Sequence, residues 1–220
     1  MQIFYNSLVV IILLINISVS SSYAQKNKFE GEIVFVKETL KDTSYFSYKI
    51  KGNRVRVDEL DRNLNTKNYM IVDINTPLIY AVNPSRKLYT NMPIHPWDFD
   101  NAPQSSFQVI KTDNYKYLNG YKCNQWRVRN KKEDTEIAYW VASDQFTFFQ
   151  KLLRLMNISD KNSDYYLRIP ETEGIFPMLS VEMTILRSKK SKLEVIDVNE
   201  KNMETTLFEI PGDYKLFQKN

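Results

Sequence analysis

The chain has one cysteine, one histidine and five glycines in 220 residues, and each scarcity removes a class of function. With Cys123 alone there can be no internal disulfide, so the core must hold the fold. His95 is the only histidine, set in a loop between Ile94 and Pro96 with no Gly-x-Ser-x-Gly elbow anywhere, and it reads as a satisfied loop histidine in preference to a catalytic base. No cluster of His, Cys and carboxylates has metal-ligand spacing, and no glycine-rich loop could cradle a phosphate. We therefore expect no enzyme, no metal and no cofactor, with Cys123 a small buried residue in the middle of a strand.

Charge is absent from the first 24 residues, which contain no Asp, Glu, Lys or Arg. An apolar run from Leu8 to Ile17, interrupted by Asn16, is too short for a membrane span, and Ser22 and Ala24 fit the small-residue pattern read by signal peptidase. The expectation is a signal peptide over residues 1–24 and a single domain over residues 25–220, although no positive charge precedes the apolar run. No cysteine lies near the cut to carry a lipoprotein anchor. The net charge of +4 is mild, and the local clusters at Arg54/Arg56, Arg127/Arg129/Lys131/Lys132 and Lys189/Lys190/Lys192 read as solvated edges and turns. No nucleic-acid partner is expected.

What the chain does have is aromatic: 14 Tyr, 12 Phe and three Trp, spread along segments of period-two alternation. The stretch from Asn119 to Ala142 reads as a complete β-hairpin behind an Asn119-Gly120 turn. Its second strand, Thr135–Ala142, is apolar on both sides and so covered on both. In its first strand, Tyr121 and Cys123 share one phase while Trp126 and Val128 share the other, which predicts a bulge near Asn124-Gln125.

Before this hairpin, strands are expected over Phe29–Glu38, Thr43–Lys51, Arg54–Leu60, Asn68–Ile74, Leu78–Val82 and around Lys87–Tyr89, separated by turn residues. In Arg54–Leu60, Val55 and Val57 face the core while Arg54, Arg56 and Asp58 face water. Asn91–Ser106, with three prolines and no period, is a long loop that reads as a lid or binding loop carrying His95, Trp97 and Phe99.

After it, Ser143-Asp144 caps one helix, Gln145–Asn157, whose stripe of Phe146, Phe149, Leu153 and Met156 is widened by Phe148, Leu152 and Leu155. Ser159–Asp164 reads as a mobile polar connection. Strands return at Met178–Arg187 and Lys192–Val198, and the apolar tail Leu207–Pro211 with Tyr214 pins the C-terminus.

Several motifs converge on one family. Ile50–Asp58 (IKGNRVRVD), Met70–Asp73 (MIVD), Tyr80–Pro93 (YAVNPSRKLYTNMP), Gly120–Trp126 (GYKCNQW) and Trp140–Ala142 resemble the exported bacterial family of unknown function DUF4412, as does the closing LFEIP with Tyr214-Lys215. That family is similar in fold to the LolA/LolB lipoprotein carriers. The resemblance implies a mainly β (α+β) architecture: a curved antiparallel half-barrel with a helix on its concave face, where the carriers hold acyl chains. Those carriers use an arginine inside the cavity, and the alternation points Arg54 and Arg56 away from it.

The expected function is a non-enzymatic envelope protein, periplasmic or associated with the outer membrane, that binds or carries a lipid or acylated ligand. The alternative is an interaction or sensor module with a filled core and a protein partner. The residues expected to line a cavity or fill a core are Phe35, Tyr48, Val57, Ile71, Tyr80, Trp126, Trp140, Phe146, Phe149 and Leu153.

Overall fold

Turn residues divide the alternating segments into two antiparallel meanders. The structure, a computed structural model, describes residues 28–95, 104–143, 145–156 and 160–218. The first meander comprises β1 (Gly31–Thr39), β2 (Thr43–Lys51), β3 (Arg54–Leu60), β4 (Thr66–Asp73), β5 (Leu78–Asn83) and β6 (Leu88–Asn91). The second comprises β7 (Gln108–Leu118), β8 (Tyr121–Asn130), β9 (Thr135–Ser143), β10 (Ile175–Met183) and β11 (Lys189–Glu200). A two-residue β12 (Lys215–Leu216) lies parallel to β6. The strand order is β12-β6-β5-β4-β3-β2-β1-β11-β10-β9-β8-β7, so the meanders join where β1 pairs with β11 in one curved, open sheet of twelve strands. The fold is mainly β, as the sequence implies.

Two glycine-bearing sites set the register. Asn119 and Gly120 both take positive φ, 49° and 81°, which is the tight turn that matches the twist of its flanking strands. Gly31 admits no side chain, because a Cβ there would sit 2.2 Å from the Asn199 carbonyl oxygen of β11. β9 is covered on both faces, with only Ser143 exposed. The bulge lies elsewhere than expected: β8 pairs β9 without a shift from Cys123 to Asn130, and the irregularity falls on β7 between Lys111 and Tyr115, opposite Trp126 and Asn124.

The helical region differs from expectation at both ends. Helix α1 spans Phe149–Met156, four residues shorter at its start. Phe29 N–H donates to the Gln145 carbonyl (3.0 Å) and Phe146 N–H to that of Gly174 (3.3 Å), so this backbone is already engaged with β1 and the loop before β10. Phe146 and Phe148 are buried outside the helix, in contact with Phe29 and Phe176. Asp144 of the expected cap lies outside the described residues. A second helix, α2 (Lys161–Leu167), stands where a mobile connection was expected. Its cap is Asp160, whose side chain accepts from Asn162 N–H at 3.3 Å. Tyr165, Tyr166 and Leu167 are buried, and Tyr139 Oη donates to the Asn162 carbonyl at 2.6 Å.

The largest correction concerns the face of β3 expected to be wet. Arg54 is exposed, but Asp58 is fully buried and Arg56 is partly buried. Asp58 accepts from Lys49 Nζ, from Arg56 Nε (2.8 Å) and from Ser47 Oγ (3.3 Å). The Arg56 guanidinium stacks 3.7 Å from the Tyr69 ring centroid and donates to the Leu207 carbonyl.

What covers this face is the C-terminal strap, residues 201–218. Met203 and Phe208 are buried, and Ile210 and Tyr214 pack on a cluster of Tyr69, Ile71 and Val82. Lys215 and Phe217 donate backbone bonds to Lys87 and Tyr89 on β6. The apolar tail does pin the terminus, across the convex face of the first meander.

Candidate functional site

Register builds a row of side chains across the concave face. Residues directly opposite in an antiparallel pair share a face. The pairs Ile33↔Tyr48, Tyr48↔Val57, Val57↔Met70, Met70↔Ala81 and Ala81↔Thr90 therefore line up across β1 to β6. Phe35 and Phe46 form a neighbouring rung, with ring centroids 5.5 Å apart. Over β1–β4 the row is roofed by Phe149, Leu153 and Met156 of α1, by Tyr166 of α2 and by Phe176 and Pro177 of β10.

Floor and roof do not meet everywhere. A cavity of ≈ 230 Å³ lies beneath α1, lined by Phe35, Tyr48, Val57, Phe149 and Leu153 among others. It adjoins an open groove of ≈ 470 Å³ over β2–β6, lined by Ala81, Leu88 and Phe217. Phe46, Val57 and Met70 belong to both, so the two form one apolar trough.

Polar groups stand along one margin. Lys37 pairs with Asp160 at 3.3 Å where the cavity meets α2, next to Asn162 and Ser163. Farther along, Asn68 donates to Glu59 (3.2 Å), Asn83 donates to Asn68 (3.1 Å), and Lys67 pairs with Glu59 at 2.9 Å. The Lys67 hydrogen bond, aided by that from Asn68, holds the Glu59 carboxyl below the usual carboxylate range. Tyr48 also lines the cavity; its hydroxyl has no hydrogen-bond partner among the described residues, and burial raises its pKa above the ordinary phenol value. The hydroxyl is accessible at the cavity, where a ligand's polar end could hydrogen-bond to it.

Of the residues singled out in the sequence, Phe35, Tyr48, Val57, Phe149 and Leu153 converge on the cavity. Phe146 is buried behind them in the aromatic cluster with Phe29, Tyr121 and Phe176. Ile71 and Tyr80 lie on the opposite face with Tyr69 and Val82, beneath the strap. Trp126 and Trp140 pack against the core under Lys111 and Lys116, away from both parts of the trough. His95 is exposed, and Trp97 and Phe99 lie outside the described residues. The sequence reading missed Phe46 and Met70, the residues that connect cavity and groove. Their phase with Tyr48 and Val72 was the available signal.

Cys123 is buried beside its own strand, its Sγ 3.5 Å from the Tyr121 carbonyl, and burial pushes its thiol up to about 11. It is protonated near neutral pH and not a thiolate nucleophile. Among the described residues no His/Cys/Asp/Glu group could hold a metal ion, and no helix is long and apolar enough to cross a membrane.

The fold and site together define a class: an open, curved antiparallel sheet with an apolar trough on its concave face, partly roofed by short helices. The chain belongs to the DUF4412 family, a domain of unknown function, whose model matches residues 29–214. No curated protein matches it.

Among solved structures, an uncharacterised conserved protein from Thermus thermophilus is similar over 86% of this chain and 91% of its own, at 8% identity and a TM-score of 0.46. The MucA/MucB complex of Pseudomonas aeruginosa contains a chain similar over 88% of this one and 60% of its own, at 11% identity and a TM-score of 0.49. A domain described as an outer membrane lipoprotein-sorting protein, from Vibrio parahaemolyticus, is similar over 81% of this chain and 87% of its own, at 7% identity and a TM-score of 0.31.

Proposed function

We propose that this protein is a non-enzymatic, exported protein of the cell envelope that binds or carries an elongated hydrophobic ligand, lipid or acylated, in the concave trough. The observation that carries the reading is the continuity of cavity and groove through Phe46, Val57 and Met70. From β2 to β6 the floor crosses four interstrand spacings of about 4.8 Å, about 19 Å in all, which suits a long acyl chain. The apolar chain lies along Tyr48, Val57, Met70 and Ala81. A polar end is met at the margin by Lys37 and Asp160, with the Tyr48 hydroxyl available to it. Export is read from the charge-free leader over residues 1–24.

The test is denaturing extraction of protein purified from envelopes, followed by lipid mass spectrometry, on wild type and Phe149→Arg. The expected result is a stoichiometric lipid in wild type that is lost from a still-folded variant. Lipid in neither sample, with no uptake of added fatty acid, overturns the reading and leaves the trough as a surface for a protein partner.

A further inference from the structure

The two edges of the sheet are finished differently. At one edge, β6 is covered by β12 of the strap. At the other, β7 ends the strand order, and among the described residues no strand pairs with its outer side. This uncovered edge carries a surplus of positive charge. Residues 108–130, which span β7 and β8, hold five cations against one acid, Asp113, a net +4, while Lys131 and Lys132 in the next turn stand beside Glu133 and Asp134.

Three of the five are ion-paired, Arg127 and Arg129 with the buried carboxylate of Glu136 and Lys111 with Glu171 at 3.8 Å. Lys116 and Lys122 have no ion-pair partner among the described residues. Lys122 shares a face with Tyr117, while Lys116 lies on the other face over the Trp140 ring, 4.3 Å from its centroid. Tyr115 and Tyr117 stand 56% and 68% exposed beside them.

We propose that this β7–β8 hairpin is a docking surface for an anionic lipid bilayer, met edge-on. Cations on both faces of the hairpin leave its edge, and neither flat side, as the shared focus of the field. Exposed tyrosines between lysines suit an interface that is apolar below and anionic above. An acidic peptide adding as a further strand is the rival occupant, and the local backbone opposes it. The β7 irregularity between Lys111 and Tyr115 breaks the ladder that such a strand would need, and edge lysines disfavour pairing. The proposal does not depend on what the trough binds.

The test is co-sedimentation of the full chain with vesicles of phosphatidylcholine, alone or mixed with phosphatidylglycerol. Wild type is compared with Lys116→Glu/Lys122→Glu and with a control pair outside the hairpin, Lys28→Glu/Lys41→Glu. The expected result is a preference for the anionic vesicles that fades as salt screens it, reduced about tenfold or more in the hairpin variant and about twofold or less in the control. Because the apolar leader is common to all variants, it cannot produce this difference.

If the glutamate pair fails to fold, Lys116→Gln/Lys122→Gln is expected to keep native circular dichroism and still weaken binding. Equal binding to both vesicle types, equal losses in both variant pairs, or binding of poly-glutamate without binding of vesicles overturns the proposal. Phe149→Arg separates the two readings, because it is expected to lose lipid uptake and keep vesicle binding.

Discussion

β1 to β4 present two faces made by the same alternation, and the chain treats them in opposite ways. On the convex face of β2 and β3 the side chains are polar and charged, yet they are covered: Asp58 is fully buried and bonded to Lys49, Arg56 and Ser47, and the strap reaches Arg56 through the Leu207 carbonyl. On the concave face they are apolar, yet they are left open: Val57 and Met70 border empty space, and the Tyr48 hydroxyl beside them has no partner among the described residues. Burying charge is costly unless every group is paired, so the convex face is tolerable only because its network is complete. Leaving an apolar trough open is also unfavourable, and among the described residues no segment closes the part over β5 and β6. The convex face thus serves the fold, while the concave face offers the open apolar surface on which the proposed function rests.

The comparison predicts unequal responses to mutation. The largest is at Asp58. Asp58→Ala removes the acceptor shared by Lys49, Arg56 and Ser47, leaving Lys49 only Glu32 and Arg56 only the Leu207 carbonyl, and urea unfolding is expected to show a loss of about 2–4 kcal/mol. A loss under about 1 kcal/mol would mean that the strap is looser than its contacts indicate.

A smaller effect concerns pH. The Met203 amide, with Lys51 nearby, holds the Glu30 carboxyl below its usual range. A depressed folded pKa gives stabilisation that is present above the unfolded value of about 4.3 and lost as pH falls through the folded value. Hydrogen exchange at the Met203 amide, corrected for its intrinsic rate, is therefore expected to lose protection in acid. Glu30→Gln should remove the dependence while protection elsewhere in β1 is unchanged.

Much of this was legible in the sequence. Alternation over Gly31–Leu60 and the Asn119-Gly120 turn located strands whose partners the structure supplies, and the wide stripe of Phe149, Leu152 and Leu153 located the covered helix. What local pattern could not carry was the identity of a distant cover. Arg56 and Asp58 look solvated in any window around them, because the groups that bury them come from Leu207 and its neighbours, about 150 positions later.

The start of α1 was misplaced for a related reason. Phe146 fits a helical stripe, but backbone bonds from Phe29 and to Gly174 hold its segment in another conformation. Helix α2 escaped notice because its apolar residues are confined to Tyr165, Tyr166 and Leu167, too few to establish a period, while Asp160 and Asp164 look like loop chemistry. Five of the ten residues proposed for a cavity or core do meet at the cavity. Alternation alone could not tell the face of Val57 from that of Ile71, which turns toward the strap.

The proposal that the trough takes an elongated apolar ligand is tested most directly by Met70→Trp, which fills the junction of cavity and groove. The measurement is fluorescence titration of wild type and variant with a fluorescent fatty-acid analogue, alongside urea unfolding of both. The account predicts one-to-one binding by wild type and a loss of about tenfold or more in the variant, while stability stays within about 1.5 kcal/mol because the new ring enters existing space. Equal binding by both proteins, or no binding by wild type, would contradict it.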